Sequence, residues 1–192
     1  MTGAGLRIAL YGGSFDPPHV AHVLAATWVL SAAPVDALWV LPVGQHVFGK
    51  VAAAPFEARL ALCRLAFGLL GERVQVRADE QRPDASGRTL DLVRHLQHLH
   101  PRTSFRLVIG SDALAERDRW HDFTTLAQLA PPLVLPRPGH PVDAEFVQVA
   151  APVLLPDVSS TQVRALLKNG EDPGGLLPLA VRAAIVQRHL YV

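Results

Sequence analysis

The chain has one cysteine and one methionine in 192 residues. A single cysteine excludes an internal disulfide framework and fits a reducing compartment. That residue, Cys63, stands among Leu60, Leu62, Leu65 and Ala66 and reads as a small buried side chain. Charge is also scarce: 18% of residues are Asp, Glu, Lys or Arg, and the net charge is +1. No broad basic field is present, so nucleic acid is not an expected partner and any anion site must be local. No apolar run reaches the roughly 18 residues that a spanning helix needs. Gly3, Gly5 and Arg7 interrupt the N-terminal stretch where a signal peptide would carry its apolar core. These absences predict a cytoplasmic protein with no membrane partner. No repeat or low-complexity linker divides the chain, so residues 1–192 are expected to form a single domain.

What is present alternates. Strand-like runs at 6–11, 37–41, 74–77, 105–109 and 133–135 are separated by helical spacing at 20–31, 56–70, 89–98 and 123–129. Two brief extended pieces are expected at 147–149 and 153–155, and helices at 161–168 and 178–189. Strands alternating with helices predict an α/β fold: a Rossmann-like, doubly wound, mostly parallel sheet with helices on both faces. Ligands in such sheets bind beyond the carboxyl ends of the strands, where strand order reverses. Gly12-Gly13 and Gly110-Ser111-Asp112 both follow strand ends, so both are expected to line one crevice.

The densest chemistry lies in Gly12-Gly13-Ser14-Phe15-Asp16-Pro17-Pro18-His19-Val20-Ala21-His22. The glycines let backbone approach a ligand with no Cβ in the way, and the prolines set the chain entering a helix. Free N–H groups and the dipole at a helix start attract anions. His19 and His22 share a helical face and can each donate an N–H to a phosphate oxygen, and Ser14 adds a hydroxyl. Surface histidines beside a simple turn are the plainer reading of either histidine taken singly. A zinc site is the weaker alternative, because a third and fourth ligand are not nearby. A second anion site is expected at Ser159-Ser160-Thr161-Gln162-Val163-Arg164. There one serine caps a helix and Arg164 shares a face with Ser160 and Thr161. The plainer alternative is a capped surface helix with a solvated arginine. Lys168, one turn on, reads as solvated.

The first segment resembles the GGxFDPxHxGH signature of the HxGH-motif nucleotidyltransferases, with Ala21 where that family usually has glycine. Ser159 to Arg164 resembles that family's SSTxxR signature, which contacts ATP. Residues 105–114 with Trp120-His121, and the C-terminal helix, resemble the nicotinate-nucleotide adenylyltransferases within the group. The resemblance implies transfer of AMP from ATP to the 5′-phosphate of nicotinate mononucleotide. The products would be deamido-NAD and pyrophosphate, as in NAD biosynthesis, with Mg²⁺ accompanying the ATP.

The resemblance implies catalytic roles for His19, His22, Lys50 and Arg164. It implies ATP contacts from Gly12, Gly13, Ser14, Phe15, His19, His22, Ser159, Ser160, Thr161 and Arg164. Acceptor contacts fall to Arg88, Thr89, Gly110, Asp112 and Trp120, and no residue is assigned to a resident metal. Two departures stand out. Arg88 takes the place of a tyrosine that lines the nicotinate pocket, and the loop holding His46 and Lys50 differs in spacing from the family's. For Trp120 the plainer reading is packing, and for Lys50 a free surface lysine. Rival functions are the same chemistry on nicotinamide mononucleotide or phosphopantetheine, and a non-catalytic nucleotide-binding module. The oligomeric state stays open, a homo-oligomer included.

Overall fold

The computed structural model describes residues 5–44, 51–149 and 153–192. Five strands form one parallel sheet: β1 (Arg7–Gly13), β2 (Ala37–Pro42), β3 (Val74–Val76), β4 (Ser104–Gly110) and β5 (Pro132–Leu135). Their order is β3-β2-β1-β4-β5, so the direction of winding reverses between β1 and β4. The helices are α1 (Val20–Ala32), α2 (Phe56–Phe67), α3 (Thr89–Leu99), α4 (Ser111–Ala115), α5 (Phe123–Leu129), α6 (Ser160–Lys168) and α7 (Leu179–Gln187).

Alternation along the strands sends side chains to two cores. Ala9, Tyr11, Leu38, Val40, Val108, Leu133 and Leu135 pack against residues of α1, α2, α6 and α7. Ile8, Leu10, Trp39, Leu41, Leu107, Ile109 and Val134 pack against α3, α4 and α5. Each fully buried Leu or Val contributes about 1.5–3 kcal/mol relative to exposure. Burial on both sides explains why these strands read as nearly continuous apolar runs. The doubly wound α/β expectation therefore holds.

The corrections are local. Gly12 and Gly13 do not form a turn. They are the last residues of β1, paired with Leu41 and Pro42, and the turn is made by the residues that follow. The helical pattern at 56–70 is α2 followed by a 3-10 turn, Gly68–Leu70, that ends at Gly71 with φ +79°. Only glycine adopts that backbone angle without strain. The extended piece expected at 147–149 instead belongs to a 3-10 segment, Ala144–Val149. The piece at 153–155 pairs with no strand among the described residues, although Leu155 is buried. Short apolar runs carry too few residues to separate a strand from a buried turn. Among the described residues, no helix is long and apolar enough to cross a membrane.

Candidate active site

The carboxyl ends of β1 and β4 open into a cavity of about 640 Å³. Gly12, Gly13 and Ser14 line it from β1, and Gly110 and Asp112 from β4. The switch point thus brings the two glycine-bearing strand ends together in one crevice, as expected. At Gly12, no atom of the described residues lies within 4 Å of an added Cβ. At Gly110, a Cβ would collide with Asp112 Oδ1, which folds back over the strand end.

After β1 the chain turns sharply. Phe15 adopts a left-handed φ of +46°, and the Asp16–Pro17 peptide is cis. The strained Phe15 backbone is held by its buried ring, wedged edge-on against Tyr11 and Phe67. His19 is the N-cap of α1 and His22 stands one turn on, their rings stacked 3.7 Å apart. The His19 backbone N–H donates to His22 Nδ1 at 3.1 Å. That bond assigns the His22 proton to Nε2, so the neutral ring presents one N–H donor. His22 lines the cavity. His19 is buried behind it, and its Nδ1 has no hydrogen-bond partner among the described residues.

Burial, with the Arg137 guanidinium adding to it, pushes the His19 pKa down to about 3. Burial also holds His22 well below the usual histidine value, helped by His19 and Arg137. Both rings are therefore neutral hydrogen-bond donors at pH 7, not cations. The sign of the pH effect follows. Between the depressed folded values and about 6.5, the unfolded chain binds the extra protons. Stability from these rings is complete above about pH 6.5 and is lost as pH falls toward 3. Thermal melts should show a Tm that drops across this window, with a shallower slope in His19→Gln. An unchanged slope in that variant would assign the acid lability elsewhere.

The second motif packs against the first. Ser159 caps α6, its Oγ accepting the Gln162 N–H at 3.1 Å. Ser160 Oγ donates to the Pro17 carbonyl at 2.9 Å. Arg164 donates to the Asp16 carbonyl at 2.7 Å and to Thr161 Oγ1 at 3.2 Å. The start of α6 is therefore bolted to the turn of the first motif, and none of Ser159, Ser160, Thr161 or Arg164 lines the cavity. Lys168 is exposed. Lys50 and His46 lie outside the described residues.

The acceptor-side candidates do converge. Arg88, Thr89, Gly110, Asp112 and Trp120 all line the cavity. Arg88 is the N-cap of α3, and its side chain has no hydrogen bond or ion pair among the described residues. Trp120 is half-buried and meets the Phe123 ring edge-to-face, yet it still borders the cavity. Packing and ligand contact are therefore not exclusive for it.

Among the wall residues that escaped the sequence reading are Tyr11, Glu80 and Arg137. Tyr11 is buried on β1. Glu80 is buried after β3, and burial pushes its carboxyl above the usual range. Arg137 follows β5 and is the charge felt by both histidines. Arg137 had a readable signal: Pro136-Arg137-Pro138-Gly139 is a turn at a strand end, the rule that singled out Gly12 and Gly110.

A cytidylyltransferase-like family model matches residues 10–166. A relative from Anaeromyxobacter sp. (strain K), bearing the name nicotinate-nucleotide adenylyltransferase, is 41% identical, with 97% of each chain covered. The chain belongs to the nicotinate-nucleotide adenylyltransferase family. A second such relative, from Myxococcus xanthus, is 39% identical over 97% of this chain and 95% of its own. The fold is also that of the Plasmodium falciparum nicotinic acid mononucleotide adenylyltransferase solved with NaAD. The TM-score is 0.81 at 19% identity, covering 97% of each chain. Membership agrees with the resemblance of both motifs and with an adenylyltransferase built on a Rossmann-like sheet.

Proposed function

We propose that the protein transfers AMP from ATP to the 5′-phosphate of nicotinate mononucleotide, releasing deamido-NAD and pyrophosphate. One observation carries this reading: a single cavity joins the glycine strand end and His22 to Asp112, Trp120 and Arg88. A phosphate oxygen of the acceptor attacks the α-phosphorus of ATP in line, and the bond to the pyrophosphate oxygen breaks. The attacking oxygen is already ionised, so no general base is needed. The protein supplies position and charge stabilisation.

In this reading Ser14 and the β1 end meet ATP phosphates, His22 donates an N–H near the transferring group, and Arg137 offsets phosphate charge. Arg164, Ser160 and Thr161 act through the turn they hold, and Lys50 is assigned to the leaving pyrophosphate by the family resemblance. Trp120 stacks on the pyridine ring, and Asp112 accepts from ribose hydroxyls. Among the described residues no His, Cys, Asp or Glu cluster is arranged to hold a metal ion. A site without such a cluster suits Mg²⁺ that would arrive on ATP, held mainly by the phosphates and reducing their negative charge. Family membership and the single buried Cys63 support a cytoplasmic enzyme whose partners are ATP and a pyridine mononucleotide.

Pyrophosphate release from ATP with nicotinate mononucleotide, nicotinamide mononucleotide and phosphopantetheine tests the assignment. Nicotinate mononucleotide should dominate. No release with any acceptor would favour a binding module. Arg88, a cation on the cavity wall without a partner among the described residues, is positioned to pair with the acceptor's carboxylate. Arg88→Ala should cut the preference for nicotinate over nicotinamide by roughly 10–100-fold, the size of a charged hydrogen bond. Unchanged discrimination would remove Arg88 from the pocket.

A further inference from the structure

Arg59 is a charge in the middle of the core. It is 1% exposed and sits on the face of α2 that also buries Phe56, Leu60 and Cys63, its guanidinium 5.5 Å above the Phe56 ring. No carboxylate pairs with it among the described residues. It donates instead to three carbonyls from three chain segments. These are Ser14 O at 2.7 Å, Val43 O at 2.8 Å and Ala54 O at 3.2 Å. A methionine or leucine would fill this volume without burying a charge, so packing alone does not account for an arginine. A planar fork that can address several carbonyls at once does.

Two of the three carbonyls belong to the site. Ser14 follows β1 and Val43 follows β2, and both line the cavity. Ala54 belongs to the segment that Asp16 also grips. The buried Asp16 carboxylate accepts the Ala53 N–H at 2.7 Å, the Ala54 N–H at 3.1 Å and the Tyr191 hydroxyl at 2.9 Å. Two buried side chains of opposite charge therefore hold the phosphate turn against the chain on either side of residues 45–50. With the Ser14 carbonyl drawn to Arg59, the Phe15 N–H of the same planar trans peptide points the opposite way. No backbone carbonyl among the described residues accepts it.

We infer that Arg59 is a positioning residue for nucleotidyl transfer, setting the Ser14–Phe15 peptide and the Val43 strand end against the ATP phosphates. The inference rests on the function proposed above. Its first readout, ATP binding measured by calorimetry without acceptor, does not depend on which acceptor is used. Arg59→Lys keeps the charge but loses the fork. It should weaken ATP binding about tenfold and lower kcat roughly 10²-fold, the loss expected for an ångström-scale misplacement. The acceptor KM should stay within about twofold. Wild-type kcat and ATP affinity in a folded Arg59→Lys would overturn the inference, as would an equal loss of both substrates. Where lysine does not fold, Arg59→Ala with added guanidinium ion is the second test. Turnover per folded molecule should rise with guanidinium. Recovery that only tracks the folded fraction would show a purely structural role. Wild-type turnover on the acceptor panel reports separately on the reaction itself.

Discussion

Replacing His22 by alanine lowers kcat by about 10²–10³-fold, the effect of deleting one preorganised donor to a developing charge. His22 is the ring that reaches the cavity, and the His19 backbone N–H at its Nδ1 keeps the proton on Nε2. The fold should survive. His22 is only partly buried, and the loss of its bond to the N-cap costs about 1 kcal/mol. Steady-state kinetics beside a thermal melt checks both halves, and near-normal turnover would remove His22 from the chemistry. Because its pKa lies well below the usual value, no His22 limb should appear above pH 6.5 in kcat/KM, which reports the free enzyme. An imidazolium at this position would produce such a limb.

Arg137→Gln is expected to reduce kcat/KM for ATP by roughly 10–100-fold, from the loss of a charged hydrogen-bond donor. The guanidinium stands at the carboxyl end of β5 and lines the cavity. Its backbone is fixed by an N–H bond to Ser111 Oγ at 2.8 Å, and Ser111 in turn donates to the His140 carbonyl. The substitution has a second readout with a definite sign. Removing a positive charge near His19 and His22 raises both pKa values, which can be followed by NMR titration of the ring protons. Arg137→Lys should restore the histidine titration but only part of the activity, because ammonium lacks the fork. Unmoved histidine pKa values would separate Arg137 from the phosphate site.

Much of this site was legible before folding. The order strand, glycines, prolines, paired histidines can be read locally, and so can Gly110 to Asp112 after β4. Trp120 and Arg88 were found by family resemblance, and both reach the cavity. Arg59 was not found. It sits inside an apolar i, i+3, i+4 pattern, where one arginine reads as an exception at the edge of the stripe. Nothing in α2 reports that Ser14, Val43 and Ala54 turn their carbonyls toward it. Arg137 was legible in principle, because its proline-flanked turn obeys the strand-end rule, but its short strand carries a weak pattern.

The amino-acid order sets the parallel α/β class and marks the strand ends that line the cavity. Periodicity and turn chemistry act over a few neighbouring residues and are written in the chain. The role of the second motif is a different matter. Arg164 and Asp16 are 148 positions apart, and only the packed fold shows that the arginine holds the turn after β1. The charge state of His19 and His22 likewise belongs to the assembled protein. Desolvation and a distant guanidinium govern it, and neither exists until β1, β4 and β5 come together.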